Sequence, residues 1–161
     1  MPAVEYFLKV DGIPGDSADA AHSGEIEAES FGWGETHAGT TQGAGPGLPA
    51  GRTQVQDLNV TMQMSKASPL LMQACATGRR IGTVTLTVRK TGQQPVDFFV
   101  VKLSDVVITS YHTGGSAHAD LPLDQIAFGF AKIELEFRPQ RPDGSFDQSV
   151  RASWDVRSMR P

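Results

Sequence analysis

Three groups of residues have the types and spacing to do chemistry. Gly43, Gly45 and Gly47 alternate in a Gly-rich run and look like the start of a phosphate cradle, where backbone N–H groups converge on an anion. Such a cradle needs a Lys-Ser/Thr pair and a helix directly after it. Here Val55 onward reads as strand, so no phosphate site is expected. His112, His118 and Asp120 are metal-ligand types, but their spacing fits no zinc pattern, and Gly114-Gly115-Ser116 between them reads as a turn. Glu25, Glu27 and Glu29 alternate, so one strand face would carry three carboxylates able to attract a cation; a solvated face is the simpler reading. Cys75 is the single cysteine, which excludes an intramolecular disulfide and a zinc cluster built on paired thiolates. It follows Leu71 by four positions on a candidate helix and reads as packing rather than nucleophile. There is no Gly-x-Ser-x-Gly elbow, His-Glu-x-x-His or Cys-x-x-Cys. The expectation is a protein without catalytic, metal or cofactor-binding residues, not an enzyme.

The elements that must position these residues are mostly strands. In 4–10, Val4, Tyr6, Leu8 and Val10 alternate with Glu5, Phe7 and Lys9; in 54–64, Leu58, Val60, Met62 and Met64 alternate with polar residues. Run 83–90 sets Val84, Leu86 and Val88 against Thr83, Thr85, Thr87 and Arg89. Run 146–157 is the cleanest, with Phe146, Val150, Ala152, Trp154 and Val156 on one side. Such alternation predicts one buried and one wet face. Segments 96–101 and 126–137 are apolar on both faces. In the second, Ile126, Phe128 and Phe130 share one parity and Ile133, Leu135 and Phe137 the other. Either a bulge near Gly129–Lys132 restores the core face, or the outer face is covered by the chain's own helix or another subunit.

One helix is well signed over about 68–78. Ser68 is its expected cap, Pro69 its first residue, Gly78 its left-handed C-terminal cap, and Arg79 and Arg80 sit where positive charge suits the C-terminus. Segment 36–52 stands apart: seventeen residues with five glycines and two prolines, without helix or strand pattern. Loops of that length inside a domain are usually functional or disordered.

At 161 residues the chain fits one domain, 1–161, with 39% hydrophobic and 20% charged residues. A net charge of −4 argues against nucleic acid as a partner. No apolar run reaches membrane-spanning length and no basic-then-apolar signal opens the chain, so neither membrane insertion nor classical export is expected. Residues 1–36 hold eight carboxylates against Lys9 alone, whereas 138–161 hold Arg138, Arg141, Arg151, Arg157 and Arg160 against three aspartates. That asymmetry could steer unlike surfaces of two copies together, or be incidental.

Several fragments, in order, carry a resemblance. They are Tyr6-Phe-Leu-Lys-Val-Asp-Gly-Ile-Pro-Gly-Asp-Ser17, His22-Ser-Gly-Glu-Ile26, Phe31-Gly-Trp33 and Val55-Gln-Asp-Leu58. Lys66-Ala-Ser-Pro-Leu-Leu-Met72, Thr113-Gly-Gly-Ser116, Pro139-Gln-x-x-Asp-Gly-Ser145 and Trp154-Asp-Val156 follow. The chain resembles the Hcp family, the inner-tube proteins of the bacterial type VI secretion system. The resemblance implies a mainly β fold, a small barrel or sandwich of two antiparallel sheets with one flanking α-helix and a long Gly-rich loop. It further implies homohexameric rings stacked head to tail, driven by a contractile sheath, tipped by the spike protein VgrG and carrying effector proteins in the lumen. Assembly is then cytoplasmic, with release to the medium or a target cell without a classical signal peptide. On that reading, loop 36–52, with Thr40, Gln42, Gly43, Gly45, Gly47 and Leu48, projects from the ring and orders on the neighbouring ring. Ile26, Ala28, Ser30 and Gly32 share one face that becomes small towards Gly32, making Ser30 and Gly32 candidates for a cargo-facing wall; the Thr83/Thr85/Thr87 face is an equal alternative. Two rival readings stay open: a phage-like tail tube protein, and a monomeric small β-barrel that binds a ligand.

Overall fold

The structure, a computed structural model, describes residues 3–39 and 52–161. Among these residues ten strands and one helix follow in the order β1 (Val4–Val10), β2 (Ile26–Ala28), β3 (Ser30–Gly32), β4 (Glu35–His37), β5 (Thr53–Val55), β6 (Leu58–Gln63), α1 (Ser68–Thr77), β7 (Ile81–Lys90), β8 (Val96–Gly114), β9 (Leu123–Phe137) and β10 (Val150–Asp155). Seven strands pair in the order β2-β1-β7-β8-β9-β6-β3, and β10 adds to β9. All pairs are antiparallel, so hairpin connections suffice and the class is mainly β, as expected.

The two ends of that path are one stretch of chain. β2 pairs with β1, β3 pairs with β6, and only Glu29 separates them; its N–H donates to the Thr61 carbonyl at 2.8 Å. The sheet therefore curls into a nearly closed barrel. Its interior is filled by fully buried Leu8, Leu58, Met62, Leu86, Leu103 and Phe128. The crossing at Glu29 also flips side-chain parity. Ala28 packs against the core before it and Phe31 after it, which turns Ser30 and Gly32 outward. The expected single face of Ile26, Ala28, Ser30 and Gly32 is thus corrected: the first two point inward and the last two are exposed.

The two-sided strands are reconciled differently from expectation. β9 runs unbroken, and the register with β8 is the same on both sides of the parity change, Ser104↔Lys132 before it and Val106↔Phe130 after it. Both strands switch together. Asp105 takes φ 53°, and Val101 and Leu103 on one side and Val106 and Ile108 on the other all reach the core. A bulge adds a residue to one strand, and that occurs elsewhere, at Thr109 between Ile108 and Ser110. The outer face of β1 and β7 is covered by the chain's own segment 11–25, through Asp19 on Arg89 and His22 on Phe7.

Helix α1 turns Leu71 and Ala74 into the core and ends on Gly78 at φ 63°, whose N–H donates to the Cys75 carbonyl. Pro69 lies in its first turn. Ser68 is not the cap. Ala67 holds that position without a side-chain bond, and Ser68 is the first helical residue. Its hydroxyl is drawn inward, donating to the wholly buried carboxylate of Asp124 and accepting from the Ser65 N–H at 3.0 Å. A buried carboxylate needs a donor more than the helix end does, since the latter is within reach of water.

The helix holds to the barrel chiefly through Leu71, which is fully buried. Leu71→Ala should cost about 2–5 kcal/mol in urea unfolding. Met72→Ala, at a position 50% exposed on the same helix, should stay within about 0.5 kcal/mol of wild type.

Candidate functional site

The densest polar cluster lies on the outer face of β1, β7 and β8. Glu5 stands opposite Arg89 and Phe7 opposite Thr87, and Arg89 is buried between two carboxylates, Glu5 at 2.7 Å and Asp19 at 2.7 Å. Its guanidinium lies 4.7 Å over the Phe7 ring. His22 stacks on the same ring at 4.2 Å and 8°, with Nδ1 on Glu25 at 2.9 Å and Nε2 on Asp97 at 3.1 Å. The hydrogen bond from Arg89 holds the Asp19 carboxyl down at about 2. Burial alone would favour neutral His22, but its bonds to Asp97 and Glu25 outweigh burial and raise its pKa above 6.5. A histidine flanked by carboxylates suggests acid–base chemistry. Here both ring nitrogens are engaged and the ring is 6% exposed, so no nitrogen is left to meet a substrate. The cluster is a clasp that fastens segment 11–25 across the sheet.

The surfaces left uncovered are apolar. On the inward side of β8, β9 and β10, three cross-strand rows line up: Leu103–Ile133–Trp154, Val101–Leu135–Ala152 and Phe99–Phe137–Val150. Burial fades along them. Leu103 and Ile133 are 0% and 2% exposed, whereas Phe137 and Val150 are 46% and 65% exposed. Tyr6, Phe31 and Trp33 come over from the opposite layer, with Phe31 stacked on Phe99 at 6.1 Å, but Phe137 and Val150 of the last row stay exposed. The alternation in run 146–157 therefore forecasts its face correctly and its burial wrongly, because no layer of the described residues opposes that end of the sheet. A second apolar patch, Met64, Leu121 and Leu123, sits at the barrel's other end, and Leu70 and Met72 are exposed on α1.

Segment 36–52 begins as strand, and the strand that pairs with it starts directly after it at Thr53. Thr36 and His37 of β4 pair with Gln54 and Thr53 of β5 in a separate two-stranded arm. The Trp33 indole donates to the Gln56 carbonyl at 2.8 Å and pins its base. This splits run 54–64, giving β5 to the arm and β6 to the barrel, while Thr40, Gln42, Gly43, Gly45, Gly47 and Leu48 lie outside the described residues. Ser30 and Gly32 lie on the exposed face, with open space where a Gly32 Cβ would stand. The alternative Thr83/Thr85/Thr87 face is partly shut, since Thr87 is 6% exposed. Of the three glutamates, Glu25 is bound to His22, while Glu27 and Glu29 are exposed. His112 lies on β8 and His118 and Asp120 in an exposed turn; among the described residues no cluster of three or more ligand-type side chains is placed to hold a metal ion. Cys75 is half-buried against the core. Sequence reasoning missed the clasp because Phe7, Thr87 and Arg89 sit at wet positions of alternating strands.

Comparison with known proteins places these features. The pattern of the family described as "Type VI secretion system effector, Hcp" matches residues 7–137. Protein hcp1 of Pseudomonas aeruginosa is 34% identical over 157 residues, covering 96% of each chain. A solved structure of a type six secretion system protein superposes with a TM-score of 0.91 at 26% identity, covering 98% of this chain and 99% of that one. A type VI secretion system effector from Yersinia pestis gives 0.75 at 29% identity, covering 94% and 99%.

The clasp sets a pH dependence. Because the folded-state pKa of His22 is raised, its stabilisation is complete below the unfolded value of 6.5 and is lost as pH climbs through the raised folded value. The charged groups gathered around the ring are Glu25, Asp97, Glu5, Asp19 and Arg89. In urea unfolding at stepped pH, the stability gap between wild type and His22→Gln should be widest in mild acid and narrow above neutrality. A gap independent of pH would mean the ring acts by shape alone.

Proposed function

The chain belongs to the Hcp family of type VI secretion system proteins, and from that membership we propose that it is a tube subunit, acting as a ring of copies rather than as a single molecule. The observation that carries this reading is the apolar face of β8, β9 and β10, which alternates like a core yet stays open, with Val150 at 65% exposure. Large apolar surface left open in a folded chain marks an interaction site. The rival reading as a ligand-binding barrel needs a hollow interior, and this one is packed with side chains. Ring closure needs two different, complementary surfaces on each copy, and stacking needs a second such pair.

In this reading six copies close a ring and rings stack head to tail. A sheath drives the stack, VgrG tips it and effector proteins occupy the lumen, so the protein leaves the cell folded. The arm founded on β4 and β5 is the stacking element, meeting the next ring. Ser30 and Gly32, exposed on β3, are the cargo-facing wall, favoured over the threonine face that segment 11–25 partly covers.

Light scattering on a sizing column with negative-stain microscopy should show hollow six-fold rings; a compact monomer at every concentration would reject the reading. Deleting 40–50 should leave single rings and shorten or abolish stacks, while unchanged tubes would remove the arm from that role. Gly32→Arg should keep rings but lose effector co-purification, and normal retention would place the cargo elsewhere.

A further inference from the structure

A ring needs two unlike surfaces on each copy, and the described residues offer a pair of them. Strand β10 pairs with β9 on one side only. On its other side the Asp155 N–H points away from β9, accepted by the Arg160 carbonyl at 2.8 Å. By the two-residue period of a strand, the N–H groups of Ser153 and Arg151 point the same way, along an edge that no strand of the described residues occupies. The uncovered row ending in Phe137 and Val150 lies on the same strand pair.

The rim of this surface is basic. Arg138 follows Phe137, is exposed and makes no ion pair among the described residues; Arg151 follows Val150 and pairs only with Glu136. Across the molecule, the β2 edge has the opposite sign. Glu27 and Glu29 are exposed and unpaired among the described residues, and beside them Met64 and Leu121 line a hollow of about 390 Å³. One copy thus carries an apolar strip with a basic rim and, elsewhere, an acidic edge beside apolar side chains. Among the described residues neither surface meets its complement. A second copy supplies it.

We propose that the β10 edge and the Phe137/Val150 strip of one copy dock on the acidic β2 edge of the next, forming the head-to-tail seam between subunits. This rests on the tube reading, which it deepens by naming the surfaces. The contact is heterologous, since the basic strip and the acidic edge are different parts of the chain, as closure of a ring requires. Apolar contact supplies affinity, while the two arginines and two glutamates fix orientation and speed encounter.

The test compares full-length wild type with Val150→Asp by native mass spectrometry and light scattering. Wild-type rings with a monomeric Val150→Asp of unchanged circular dichroism and melting temperature support the seam. Rings from both proteins overturn the seam and leave the tube reading standing. A wild type that never assembles overturns both. Intact Val150→Asp rings that lose co-purifying effector would assign the strip to cargo and overturn the proposal. Should Val150→Asp fail to fold, charge exchange decides. Arg138→Glu should raise the ring dissociation constant about tenfold, and adding Glu27→Arg and Glu29→Arg in the same chain should recover most of that loss. Failure of the triple variant to recover counts against the β2 edge as the docking partner. On wild type alone, amide exchange should slow at Arg151 and Ser153 when rings form, and equal rates in ring and diluted monomer would overturn the edge contact.

Discussion

Two strands are much longer than the barrel they build. β8 has 19 residues and β9 has 15, against 7 in β1 and 6 in β6. At about 3.3 Å per residue, the long pair runs some 50–60 Å, where β7 runs about 33 Å and β6 and β10 about 20 Å. No single layer of short strands can cover such a ladder. Much of the architecture follows from this mismatch: the coordinated switch at Asp105, which lets both halves of the ladder face the core, the crossing at Glu29 that closes the short layer, and the strip at the far end where cover runs out. The switch has its own support. Asp105 is held in its left-handed conformation while its carboxylate receives Arg157 and, at 3.8 Å, Arg80, tying the C-terminal turn and the residues after α1 to the corner.

The chain covers its surplus faces by two unlike means. Over β1 and β7 it folds segment 11–25 back on itself and fastens it with charge. Arg89 and His22 sandwich Phe7 and are neutralised by four carboxylates drawn from β1, the segment itself and the start of β8. Charges so well paired tolerate burial, and the aromatic ring between them keeps the contact dry. Beyond Leu103 and Ile133 the described residues offer nothing comparable. The aromatic residues that come over from β1 and β3 reach Phe99 and stop.

Much of this was legible in the residues. Alternation located β1 to the residue and β7 within two, and the Pro69…Gly78 punctuation bounded α1. What failed failed for tertiary reasons. Ser68 looks like a cap because Ser before Pro usually is one; the competing demand of Asp124, 56 residues away, is invisible locally. Ser30 and Gly32 extend the parity of Ile26 and Ala28 on paper, but barrel closure reverses it. The clasp was hidden for the same kind of reason, since Arg89 on a polar face looks solvated until Asp19 and Glu5 are brought to it. Run 146–157 shows the opposite limit: periodicity reports which face is apolar and says nothing about whether an opposing layer exists.

An open apolar strip beside an unpaired strand edge is a hazard before it is a function, because any other extended chain can add to it. The residues placed there bear on both. Arg138 and Arg151 flank the exposed Phe137 and Val150, and Lys132 stands exposed farther along the same pair. Like charges on two such edges repel, so strip does not pair with strip, and the symmetric, closed dimer that would consume the edge is disfavoured. An acidic surface meets no such barrier. The charge that protects a lone chain from itself therefore favours the proposed partner, a different face of an identical chain, and in a ring contact of that kind would propagate instead of ending in a pair.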